Sequence, residues 1–333
     1  MDMNTGGYYT QEPARPRFGT GARIGVAAGA VVLLGGFCLV PALLKDSDAA
    51  TTRSGLAATT QPTLESTPTV PPLDPKAVQF ALDEANGKLS AGVAALRKAT
   101  TPRAVSSAAD ELADTVRSQT STLSGLTVPP EAASAHNDLV SALAALEDEL
   151  STVASSADSR DICTGGAASA ALSRAGAAAD VRSAASALGG DYEFGSFLPA
   201  VTKDQKRRKA NGTYLRRVTG GSGQLKTDNG NPSDTVIKLV KVGAKKPSVV
   251  VYVRGKKKVT TGRIRDGNYQ IFMSSGTDWD GKRFTRDCGF SRFDSNFKFT
   301  TTSRQYTIWS ISLKVRLGGN APSTDVDPDA FPD

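Results

Sequence analysis

Twenty-one consecutive residues, Ile24–Leu44 (IGVAAGAVVLLGGFCLVPALL), carry no charge and no Asn, Gln or His. At about 1.5 Å rise per residue, a helix of that length covers about 31 Å, the thickness of a bilayer's hydrocarbon core. This stretch divides the chain into a short tail before it and 289 residues after it. Arg15, Arg17 and Arg23 precede it, while Lys45, Asp46 and Asp48 follow. The positive-inside bias therefore predicts a cytoplasmic N-terminus and an extracytoplasmic remainder. A cleaved signal peptide is the rival, with Ser47 and Ala49 near a cut, but its apolar region usually runs only about 7–15 residues. Cys38 is no lipoprotein cysteine, because Phe37 precedes it where a small residue is needed. Gly21, Gly25 and Gly29 recur every four residues, a face through which two spans could dimerise.

Charge is distributed unevenly on the far side of this stretch. Residues 74–200 hold nine Lys/Arg and sixteen Asp/Glu, whereas residues 201–317 hold 26 and eight; four aspartates follow. An acidic middle and a strongly basic end are a statement about partners. Of three cysteines, Cys38 falls in the apolar stretch, leaving Cys163 and Cys288 outside. In an oxidising compartment these two predict one disulfide; two buried thiols, or bonds to separate chains, are the alternatives.

The periodicity fixes the domain order. Residues 1–23 are polar and read as a disordered cytoplasmic tail, 24–44 as a transmembrane helix, and 45–73 as a Thr/Pro-rich stalk. Helical spacing begins after Asp74-Pro75 and places Val78, Leu82, Ala85, Leu89, Val93 and Leu96 on one face. A second helix follows Thr101-Pro102, and Val128-Pro129-Pro130 ends it. A third carries Leu139, Leu143, Leu146, Leu150 and Val153, and a weaker fourth spans Ala167 to Leu188. Residues 74–190 thus predict a bundle of three or four helices.

Residues 191–219 form a basic junction, after which the period changes to two. Eight strand candidates between 224 and 315 are separated by Asp228-Asn229-Gly230, Asp266-Gly267-Asn268 and Asp280-Gly281. Residues 220–317 therefore predict an antiparallel β-sandwich, and 318–333 an acidic disordered tail. The expected class is α+β and multidomain: one transmembrane helix, a helical bundle and a C-terminal sandwich.

The stretch Asp266-Gly267-Asn268-Tyr269-Gln270-Ile271-Phe272 resembles the "DGxYxhxh" strand entry of prealbumin-like sandwiches, as in carboxypeptidase regulatory-like and Cna-B-type modules. With DWDGKRFTRDC (278–288) and the DVDPDAFP tail, the chain resembles single-pass membrane proteins of actinobacteria that carry an extracytoplasmic helical region and such a sandwich. The resemblance implies a surface protein and supplies no catalytic residue. The lysine and acid of the Cna-B isopeptide bond have no counterpart here.

Few residues point to chemistry. His136 is the single histidine, so a triad or imidazole metal site lacks partners and a packing role is expected. Asp325, Asp327 and Asp329 alternate as in a Ca²⁺ loop, but Ala330 stands at the position such loops fill with glycine, and no Glu follows. Asp278 and Asp280 flank Trp279 in what reads as a tight turn. No cofactor or metal is expected, and enzymatic activity is not. The strongest signal is basic: Lys206, Arg207, Arg208 and Lys209 form one run, and Lys245, Lys246, Lys256, Lys257 and Lys258 lie around two adjacent hairpins. Outside a membrane the available anions are wall polymers and lipid headgroups. The topology, and the lack of an aromatic stacking platform among these charges, argue against nucleic acid. The expected protein is a non-enzymatic, membrane-integral surface protein binding anionic envelope polymers or headgroups. A scaffold recruiting a protein partner, or a second copy of the chain (a homodimer), through the bundle is the alternative, and an unrecognised hydrolase-type enzyme using Asp278 and Asp280 is the third reading.

Overall fold

The computed structural model describes residues 8–10, 71–314 and 322–332. The apolar stretch, the glycine face, Cys38 and the stalk up to residue 70 lie outside the described residues. No helix among the described residues is long and apolar enough to cross a membrane.

The first helix, α1 (Pro75–Lys98), starts where Asp74 accepts a hydrogen bond from the N–H of Lys76 at 2.8 Å, with Pro75 pre-set for the first turn. Thr101 caps α2 (Pro102–Ser124) in the same way through the N–H of Ala104. The third helix, α3 (Ala133–Asp158), carries the leucine seam, and every apolar position named above on α1 and α3 is buried. The predicted fourth helix is two: α4 (Gly165–Arg174) and α5 (Gly176–Ala187), broken at Ala175, whose ψ of 143° is extended. The break lets α4 pack on α1 and α5 on α3, and the helix-weak Gly176 sits at it. Gly165 is required by packing: a Cβ there would lie 1.8 Å from the carbonyl oxygen of Leu96.

His136 packs inside this bundle, 3% exposed, with Nε2 unpartnered. Burial pushes its pKa below the ordinary value, against a hydrogen bond to the Leu123 carbonyl.

Residues 192–198 still belong to the bundle. Tyr192 and Phe197 are buried, and Gln79 and Asn86 of α1 hydrogen-bond to Glu193 and Ser196. The chain then crosses to a sandwich that begins earlier than expected, at strand β2 (Tyr214–Arg217). One sheet pairs β2 with β5 (Val249–Val253), then β4 (Asp234–Lys241), β7 (Gly267–Trp279), β8 (Phe284–Phe293) and β11 (Ser323–Asp325), all antiparallel, with β9 (Phe297–Phe299) beside the start of β7. The other runs β6 (Lys257–Ile264), β3 (Gly223–Asn229), β10 (Ile308–Ser312) and β1 (Tyr8–Thr10). Here β10 is parallel to β3, and β1 parallel to β10, so the sandwich is mostly rather than wholly antiparallel. Strand β11 and the turn Pro328–Ala330 are ordered where the sequence predicted a loose tail, because Phe331 packs on Phe272 and Phe290 and Asp325 pairs with Arg160.

The larger sheet is covered on both faces. Ile237, Leu239, Val251 and Ile271 face the smaller sheet, whereas Val236, Val250, Tyr252 and Trp279 form a second core with Phe284 and the two cysteines. That double burial explains why β5 reads VVVYV, apolar throughout, rather than alternating.

Candidate anion-binding surface

The bundle and sandwich are bonded covalently. Cys163 and Cys288 form a disulfide of 2.04 Å across 125 residues of sequence. The segment around Cys163 lies along β8 as a short extra strand: Cys163 N–H donates to Thr285 O at 2.9 Å, and Cys288 N–H to Arg160 O at 3.0 Å. Ile162 and Arg286 form the bridge between them.

The basic run crosses this junction without regular structure, and two aspartates of the sandwich fix it. Arg207 grips Asp278 with three donors: its backbone N–H and Nε reach Oδ1 at 2.9 and 2.8 Å, and Nη2 reaches Oδ2 at 2.7 Å. Thr285 adds its hydroxyl to Oδ2 at 2.7 Å, and Trp279 N–H donates to Arg207 O. Burial alone would raise the Asp278 pKa, but these donors and the guanidinium charge hold it well below the carboxylate range. Arg208 pairs with Asp234, which also accepts from the Tyr252 hydroxyl and the N–H of Gly255. Asp234 is likewise held down, against its own burial, and Tyr252 is raised by burial and by the carboxylate beside it. Farther up the linker, Asp204 joins Arg174 of the bundle to Arg286 of β8 at 2.9 and 2.7 Å.

Arg207 and Arg208 are therefore structural ion pairs, each with an outer half still open to solvent. Lys258 pairs with Asp228 at 3.2 Å, and Lys256 donates to the Gly230 carbonyl. Lys206, Lys209 and Lys257 are exposed and have no carboxylate partner among the described residues. Lys245 and Lys246 also lack one, but they are elsewhere. Strand β5 runs between them and Lys256–Lys258, so the two hairpin clusters occupy opposite ends of the sandwich. Arg216, Arg217, Lys241, Arg263 and Arg265 stand beside Lys245 and Lys246, a grouping that no linear run signals.

A cavity of about 460 Å³ lies between bundle, linker and sandwich, with Asp204, Asp278 and Asp280 in its wall. Each carboxylate is committed. Asp278 and Asp204 are ion-paired, and Asp280 accepts the N–H groups of Lys282 and Arg283 at 2.7 and 2.8 Å. What this wall does chemically is hold the linker. Asp325 and Asp327 are used similarly, one on Arg160 and the other capping the turn at Asp329. Set against family models, curated proteins and solved structures, the chain matches none.

Proposed function

We propose that this is a non-enzymatic, membrane-anchored surface protein whose basic sandwich binds anionic polymers or headgroups of the cell envelope. The observation that carries it is charge left over after internal pairing. Of the nine basic residues singled out in the sequence, Lys206, Lys209, Lys245, Lys246, Lys256 and Lys257 have no carboxylate partner among the described residues. The apolar run 24–44 supports the anchor, and a disulfide between two folded parts suits an oxidising compartment. The two-sheet sandwich, whose strand β7 starts at Gly267 within the Asp266–Phe272 motif, supports the prealbumin-like reading.

Full-length chain in detergent micelles should co-sediment with cell-wall material or anionic vesicles at low salt and release as salt rises. Chain that stays in solution with both overturns the reading. A single crossing at 24–44 would also put residues 8–10 and β10 on opposite sides of the bilayer, so the anchored form leaves the β10 edge open. A Tyr8→Cys, Ser310→Cys pair should then fail to cross-link in native membranes; efficient cross-linking contradicts a single pass.

The second reading is a scaffold that recruits a protein through the bundle, where Phe80 on α1 is 71% exposed. Proximity labelling that finds one dominant neighbour, lost in Phe80→Ser, would support it.

A further inference from the structure

We propose that the binding end is the loop cluster farthest from the bundle, not the run Lys206–Lys209, and that its ligand is a linear phosphodiester polymer. This rests on the envelope-binding reading above and locates it. Residues 214–223, 241–249 and 263–268 carry seven Lys/Arg against one carboxylate, Asp266. Hydrogen bonds tie these loops into one surface: Val218 N–H to Ser248 O at 2.9 Å, Val242 N–H to Asn268 O at 2.8 Å, and Arg265 Nε to Thr219 O at 2.6 Å.

The charges are free to act outward. The lone carboxylate is occupied by the N–H and hydroxyl of Thr301 at 3.0 and 2.8 Å. None of the seven cations forms an ion pair among the described residues. Arg217 is held over the Tyr214 ring at 4.0 Å, and Arg265 is oriented through Nε, so its terminal nitrogens stay available. Lys241 lies across Gly267, whose φ of +149° and missing Cβ make room: a Cβ would stand 2.8 Å from Lys241 Cε.

Distance separates this end from competing acids. Strand β4 pairs Asp234 with Gly276 at the bundle end and Lys241 with Tyr269 at the other. Seven residue steps of about 3.4 Å put roughly 24 Å between them, more than two Debye lengths at about 0.1 M salt. The acidic bundle and the aspartates that hold Arg207 and Arg208 are therefore screened from these loops.

The chemistry selects a polymer over a bilayer. Planar guanidinium groups match phosphate oxygens two at a time, and charges spread over three loops call for a repeated anion. Val242 is the one large apolar side chain exposed in these loops, too little to insert into lipid. After residue 70 the described chain resumes at the opposite end. Leu73 beside Thr127 begins α1, which runs toward the sandwich and ends where Thr100 O accepts from Arg283.

The test compares two charge-matched variants of the full chain in micelles, with purified poly(glycerol phosphate) as the probe. One is Arg216→Gln, Lys241→Gln, Lys245→Gln, Lys246→Gln; the other is Lys203→Gln, Lys206→Gln, Lys209→Gln, Lys257→Gln. At about 0.1 M salt the first should lose about 30-fold or more in affinity and the second about threefold or less. An equal or larger loss in the second overturns the location. A salt-reversible preference of the wild-type chain for anionic over neutral vesicles that exceeds its affinity for the polymer overturns the ligand class. Wild-type chain that binds neither overturns the envelope-binding reading itself.

Discussion

The two ends of the sandwich are both rich in lysine and arginine, yet they use the charge differently. At the bundle end six aspartates (204, 228, 234, 278, 280 and 287) are interleaved with the cations, and two of them are buried under arginine forks. There Arg207, Arg208 and Arg286 are spent on holding a linker and a second domain, while Lys206, Lys209 and Lys257 stay exposed among the acids. In the three loops at the far end one carboxylate accompanies seven cations, none of them ion-paired among the described residues. On the proposal made above, the acids that share a surface, rather than the length of a basic run, decide which cations meet a ligand.

The sharpest break in this comparison is covalent. If the bundle end is a fixed joint, Cys163→Ser with Cys288→Ser should cost about 3–5 kcal/mol in chemical unfolding, because the disulfide closes a loop of more than a hundred residues. A loss well under 1 kcal/mol would mean that the ion pairs hold the joint alone. Next is Asp278→Ala, which strips Arg207 and Thr285 of their acceptor. A broken buried pair costs about 3–5 kcal/mol, but Arg207 is half exposed and solvent screens it, so about 2 kcal/mol is expected.

Acid probes the same end reversibly. Asp278 and Asp234 have folded pKa values below those of the unfolded chain, so the unfolded state takes up protons first as pH falls. Their contribution is fully present above about pH 4 and drains away below it. Melting followed from pH 6 to 2 should show this decline, flattened in the Asp278→Asn variant; an unchanged slope would show that Asp278 is not the titrating group. The smallest effect belongs to the far end. Arg216→Gln, Lys241→Gln, Lys245→Gln, Lys246→Gln together should shift stability by less than about 0.5 kcal/mol, as exposed charges without partners do. A loss above about 2 kcal/mol would mean these side chains support the fold.

Much of the architecture was legible because burial in helices follows spacing. Leu82, Leu89, Leu139 and Leu150 were placed inward by three- and four-residue steps and are buried. The split at Ala175 was not, since alanine, the strongest helix former, argues for one continuous helix and only the packing of α4 and α5 on different partners requires a turn. Strand β2 escaped notice because Arg216 and Arg217 read as part of a basic junction; its pairing with β5, not its own pattern, makes it a strand. The candidate site was half legible. Lys245 and Lys246 stood out, but Lys241, Arg263 and Arg265 join them only through sheet register. Asp278 looked like a turn residue because its partner, Arg207, is 71 positions away.

Lysine reactivity on the intact chain tests the central claim most directly. Acetylation of full-length protein in micelles should be slowed at Lys241, Lys245 and Lys246 when poly(glycerol phosphate) is added, and the slowing should vanish at high salt. Lys206, Lys209 and Lys257 should react at the same rate with and without polymer. Protection at those three instead, with the far-end lysines unchanged, would contradict the division of labour between the two ends.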